Sequence, residues 1–224
     1  MNLALIFAGG TGTRMNSKTK PKQFLELNGK PIIIHTIELF ESHPEIDAIA
    51  VVCLESWIGY LNELLERFRI KKVKYVVPGG ETGQQSIRNG LTAFWDDQDI
   101  PRDSLVLIHD GVRPLINEDI ITRSIECAKQ YGNAITVTPA IETIITVSED
   151  DSVDQIMDRS KCRMARAPQT FRLCDIVEAH NKAITDGALN MIDSAMLMSH
   201  YGATLHVVAV SYTHLRAHET CADL

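Results

Sequence analysis

Arg14, Lys18, Lys20 and Lys22 follow closely on three glycines, Gly9, Gly10 and Gly12, in a chain whose formal net charge is −7. Glycine turns bring bare backbone N–H groups close to an anion. Arginine adds a planar fork and lysine a compact point charge. That chemistry suits the non-bridging oxygens of a polyphosphate. A solvated basic face beside a glycine-rich turn is the plainer reading of the same residues. Two better-known loops are excluded by spacing. The dinucleotide fingerprint needs glycine at position 15, where Met15 stands. A P-loop needs Gly-Lys-Ser/Thr, whereas Gly12 is followed by Thr13 and Arg14.

A second chemical group, His109-Asp110-Gly111-Val112-Arg113-Pro114, follows an apolar run. An unpaired carboxylate at a buried strand end is costly. Mg²⁺ bridging phosphates would account for Asp110, since that hard cation takes carboxylate and phosphate oxygens together. A turn or helix-cap aspartate is the alternative. His109 reads as a neutral ring packed at the strand end, and Arg113 as an ion-pair partner.

The elements that must position these groups alternate. Residues 3–8 form an apolar run fit for a buried parallel strand. Further strands are predicted over 47–53, 73–77, 105–108 and 134–138. Helices are predicted over 31–43, from a Ser56 cap to 68, over 84–94, and from an Asn117 cap to 131. This rhythm predicts an α/β fold with a doubly wound, mostly parallel sheet, whose ligands bind beyond the carboxyl ends of the strands. At 141–147 and 153–157 the rhythm breaks into a hairpin, expected to project as an arm. Helices over 173–186 and 193–201 and a strand over 203–210 follow. A single domain over 1–210 is expected. Residues 211–224 lack apolar periodicity and read as a tail foreign to the fold.

The acidic balance argues against general nucleic-acid binding. The apolar run at 3–8 is too short to span a membrane. Five cysteines without metal-ligand spacing suggest reduced thiols and a cytoplasmic setting.

Pro21-Lys22-Gln23, Gly79-Gly80, Gln85-Ser86, the 109–114 segment and Ala165-Arg166-Ala167-Pro168-Gln169-Thr170-Phe171, in this order, resemble a family. It is the cytidylyltransferase family that includes the 2-C-methyl-D-erythritol 4-phosphate and ribitol-5-phosphate enzymes. The resemblance implies transfer of CMP from CTP to a polyol phosphate, with Mg²⁺ and release of pyrophosphate. By resemblance Arg14 and Lys22 are catalytic, and Asp110 is the metal ligand. Ala8, Gly9, Gly10, Thr11, Gly12, Thr13, Gly80, Glu81 and Ser86 bind the nucleotide, although Glu81 also reads as a first-turn carboxylate favoured by the helix dipole. Thr143, Arg159 and Asp193 bind the acceptor. The 141–160 arm is expected to exchange across a homodimer, carrying Arg159 to the partner's site. A surface arginine and a helix N-cap are the plain alternatives for Arg159 and Asp193.

The chain departs from the family pattern in lacking a basic residue near Gly83, in Ile192 where threonine is usual, and in lacking the C-terminal lysine segment. Val112 and Trp57 resemble the ribitol-phosphate branch, with methylerythritol phosphate as the alternative acceptor. A nucleotide-dependent oxidoreductase fails on Met15 and the clustered cations. A non-catalytic nucleotide-binding protein is supported by the missing lysine and opposed by Arg14, Lys22 and Asp110.

Overall fold

A computed structural model of the protein describes residues 1–9 and 20–210. Strand β1 (Asn2–Ala8) is buried on both faces, with Leu3 and Leu5 turned to one core and Ala4, Ile6 and Ala8 to the other. Two-residue strands β2 (Glu26–Leu27) and β3 (Lys30–Pro31) pair with each other and lead into helix α1 (Ile32–Ser42). Then come β4 (Ala48–Cys53), α2 (Ile58–Arg67), β5 (Val73–Pro78), α3 (Gly83–Trp95), β6 (Leu105–Asp110), α4 (Glu118–Tyr131) and β7 (Asn133–Pro139). A separate hairpin of β8 (Ile145–Val147) and β9 (Val153–Ile156) precedes β10 (Arg163–Arg172), α5 (Leu173–Thr185), α6 (Ser194–His200) and β11 (Val207–Ala209).

The main sheet has the order β11-β7-β10-β6-β1-β4-β5, and β10 is its one antiparallel member. Residues from α1, α2 and α4 build the core on one face, and residues from α3, α5 and α6 build the other. The chain runs outward from β1 through β4 to β5, then returns to place β6 on the opposite side of β1. The order therefore reverses between β1 and β6, where a sheet of this kind opens a crevice at its carboxyl edge.

Several local expectations needed correction. Ser56 does not cap α2; a 3-10 turn at Glu55–Trp57 leads into the helix and makes no side-chain cap bond. Glu81 is not in the first turn of α3 but precedes the cap residue Thr82, whose hydroxyl accepts from Gln85 N at 3.1 Å. Asn117 caps α4 as expected, accepting from Ile120 N at 3.0 Å. The last strand covers only Val207–Ala209, and β10 lies where no strand was assigned. The tail at 211–224 lies outside the described residues. Cys53, Cys127, Cys162 and Cys174 are free thiols, and burial pushes Cys53 up to about 11.

Helix α3 packs closely on the sheet because Gly90 has no side chain. A Cβ there would lie 2.7 Å from Leu5 Cδ1 and 2.8 Å from Val52 Cγ2. Gly90→Leu is accordingly expected to destabilise the protein by about 1–3 kcal/mol through overpacking. Urea unfolding measures this, with Gly83→Ala as a control in open space; an unchanged midpoint for Gly90→Leu would contradict the packing.

Candidate active site at the strand-end cleft

The cleft begins where β1 stops. Gln23 lies in a 3-10 turn (Lys22–Phe24), and its buried amide donates to Ala8 O at 2.7 Å. The turn is held from behind by Phe24, fully buried, stacked on Trp57 at 4.9 Å and edge-on to Tyr60 at 5.5 Å. Trp57 thus supports the turn rather than lining the cavity. Lys20 donates to the Tyr60 hydroxyl at 3.3 Å. Together these contacts fix half-buried Lys22 beside the end of β1. Gly10, Thr11, Gly12, Thr13 and Arg14 lie outside the described residues.

Gly9 and the end of β5 meet backbone to backbone. A Cβ on Gly79 would sit 3.3 Å from Gly9 Cα and 3.2 Å from Ser86 Oγ. Gly79 N donates to Cys53 O at 2.8 Å, and Gly80 N donates to Ser86 Oγ at 3.0 Å. Exposed Glu81 is held through its backbone, whose N–H donates to Gln85 Oε1 at 3.0 Å. A Cβ on Gly80 would fall 2.3 Å from Gln85 Cγ. Gly9, Gly80 and Ser86 are therefore brought together, and Gly79 and Gly80 have little room for side chains of their own.

Adjoining this region is a cavity of about 300 Å³ between α3, β6, β10, α5 and the loop entering α6. Asp110 and Arg113 line it and form an ion pair, so Arg113 is an ion-pair partner as expected, and the carboxylate has a cation beside it. His109 is fully buried; its Nε2 donates to Arg113 O at 2.9 Å, and its ring lies 5.3 Å from Phe40. This agrees with a ring packed structurally at the strand end.

Two buried glutamines hold the opposite wall. The Gln84 amide donates to Ala188 O and accepts from Met191 N, both at 2.9 Å. Gln169 donates to Asp193 Oδ2 at 3.0 Å and accepts from Ala195 N at 2.9 Å. Asp193 Oδ1 meanwhile accepts from Met196 N at 2.8 Å, so Asp193 is a helix N-cap that also lines the cavity. Each glutamine has both ends of its amide engaged, and the loop's backbone is fixed to α3 and β10. His180 and Arg166 also line the cavity. Burial, and then the Arg88 charge, hold the His180 imidazole down at about 4.

Asp110 and Asp193 share the cavity, whereas Thr143 and Arg159 do not line it. Both are exposed at the arm, where Arg159 Nη1 donates to Ile141 O at 2.9 Å. Gln84 and His180 carried no sequence signal of a site, and Arg166 was quoted only within the 165–171 motif. Gln169 was quoted only as part of a motif, since its partners are remote in sequence. Among the described residues no three His, Cys, Asp or Glu side chains gather as a metal centre.

Comparison with known proteins adds a lineage to this geometry. The family profile for 2-C-methyl-D-erythritol 4-phosphate cytidylyltransferase (IspD) matches residues 2–224. The chain is 54% identical over 209 residues to a ribitol-5-phosphate cytidylyltransferase of Vibrio parahaemolyticus, covering 93% of this chain and 87% of that protein. It is 35% identical to a 2-C-methyl-D-erythritol 4-phosphate cytidylyltransferase of Syntrophus aciditrophicus, covering 96% and 89%. The fold matches the crystal structure of 4-diphosphocytidyl-2C-methyl-D-erythritol synthase from Anaerococcus prevotii with a TM-score of 0.80 at 23% identity, covering 95% and 88%.

Gln84→Leu leaves the Ala188 carbonyl and the Met191 N–H without their present partner. A loss of about 1–3 kcal/mol is expected, with faster hydrogen exchange at Met191. Unchanged exchange there would show that the loop is held by other contacts.

Proposed function

The chain belongs to the IspD family of cytidylyltransferases, and we propose that within it the protein transfers CMP from CTP to D-ribitol 5-phosphate, releasing pyrophosphate. The choice of acceptor is carried by the much higher identity to the ribitol-phosphate relative than to the methylerythritol-phosphate one. The geometry supports the reaction class through two adjoining compartments, a glycine-lined backbone surface and a cavity with polar walls.

In this reading an oxygen of the acceptor phosphate attacks the α-phosphorus of CTP. A P–O bond forms as the bond to pyrophosphate breaks, and negative charge spreads over the phosphoryl oxygens. Lys22, fixed beside Ala8 by the Gln23 bond, supplies a point charge to that triphosphate, and Arg14 supplies a fork. Ala8 and Gly9, with Gly10, Thr11, Gly12 and Thr13, cradle the phosphates. Gly80, Glu81 and Ser86 face the base.

Asp110 supplies a hard oxygen ligand of the kind Mg²⁺ accepts, and phosphate oxygens would complete the set. Bound there, the ion would neutralise charge on the transferring group. Arg113 partners Asp110 in the present arrangement.

Asp193 orients the polyol from its wall. The arm bears exposed Ile141, Ile144, Ile145, Val147, Val153 and Ile156, an apolar surface of the sort that marks an interface. It supports a homodimer in which the arm brings Thr143 and Arg159 to the partner's acceptor site. No helix among the described residues is long and apolar enough to cross a membrane, and we assign the protein to the cytoplasm.

Pyrophosphate release with CTP and Mg²⁺, comparing ribitol 5-phosphate with methylerythritol 4-phosphate, tests the reading. Turnover is expected with ribitol 5-phosphate, at least tenfold higher in kcat/KM, or about 1.4 kcal/mol. Preference for methylerythritol 4-phosphate would overturn the acceptor, and failure with both would overturn the function.

A further inference from the structure

The walls of the cavity are unequal in what they offer a ligand. Both ends of the Gln84 and Gln169 amides are engaged by the protein, and both Asp193 oxygens accept hydrogen bonds. Asp110 is in an ion pair. His180 differs. It lines the cavity from α5 together with Ile87 and Leu197, is only 3% exposed, and its buried Nε2 has no hydrogen-bond partner among the described residues. A buried polar atom left unpaired is disfavoured unless a ligand or water satisfies it.

We propose that His180 is a specificity-determining residue of the acceptor site, pairing its Nε2 with a hydroxyl of a straight-chain polyol phosphate. The proposal rests on the acceptor reading above and deepens it. A neutral imidazole has one N–H and one lone pair, and a hydroxyl, which both donates and accepts, satisfies either tautomer. Burial and Arg88 keep the ring neutral near pH 7, so it does not compete for the phosphate. Ile87 and Leu197 line the same cavity with apolar surface, so the imidazole is the polar group among them. A branched acceptor that set a methyl group against the ring would leave the nitrogen unpaired. Sites built around a hydrogen bond reject ligands that cannot make it.

The test compares KM for ribitol 5-phosphate at saturating CTP in the full chain and in His180→Phe and His180→Gln. His180→Phe keeps a planar ring without the nitrogen and is expected to raise the acceptor KM about tenfold while KM for CTP holds. His180→Gln, which keeps a polar end, is expected to recover part of the loss. Independently, ¹⁵N NMR of the unsubstituted protein should show the His180 ring nitrogens shifting when ribitol 5-phosphate joins CTP. This decides the matter even if His180→Phe fails to fold. Unmoved nitrogens, or an unchanged acceptor KM in a folded His180→Phe, would overturn the proposal. If the unsubstituted protein fails to turn over ribitol 5-phosphate, the acceptor reading has failed first and this proposal falls with it.

Discussion

The site depends on how closely two strand ends approach each other. Gly9 and Gly79 lie so near that a side chain on Gly79 would press on the other backbone at 3.3 Å. That proximity leaves room for Ser86 Oγ to accept from Gly80 N. It also places the first turn of α3 where Gln84 reaches the loop before α6. A bulkier residue at Gly79 would move β5 and α3 together, and with them both compartments. The sheet supplies the rigidity this demands, because β1 and β4 are buried on both faces and cannot adjust without opening a core.

The two compartments are held by different physics. On the glycine side the surface is backbone, its shape set by missing side chains and by a few short hydrogen bonds. On the cavity side it is a loop fixed by buried side-chain amides, each satisfied at both ends. Such groups are costly to leave unpaired, at about 1–3 kcal/mol each, so they specify one loop position rather than an average of several. Cations and carboxylates at the junction remain partly exposed, where water and salt moderate their interaction. Positioning is therefore assigned to buried neutral groups, and charge to the rim.

Much of the architecture was legible because β1 and β4 are apolar on both faces, β6 opens with an apolar run, and these strands and β7 are separated by helices with capping residues such as Asn117. Strand β10 was hidden for a reason equally physical. It carries Pro168 and three arginines, and it shifts register against β7 between Ala165 and Gln169, so neither alternation nor an apolar run betrays it. Ser56 has the chemistry of a cap, but a 3-10 turn takes the place of a capped start. In the site, Lys22, Asp110 and the paired glycines announced themselves by type and spacing. Gln84 and His180 did not, since a glutamine whose partners lie more than a hundred positions away and a histidine buried on a helix look ordinary in sequence. Their roles arise only from long-range packing.

The central claim is that one strand-end cleft holds a cytidine nucleotide on its glycine side and a polyol phosphate against the loop that Gln84 and Gln169 secure. A crystal structure with Mg²⁺, a non-hydrolysable CTP analogue and ribitol 5-phosphate tests it most directly. The account predicts cytosine against Gly80 and Ser86, phosphates between Lys22 and Asp110, and the polyol beside Asp193. A polyol bound outside the cavity, or a nucleotide bound away from Gly9 and Gly80, would contradict it.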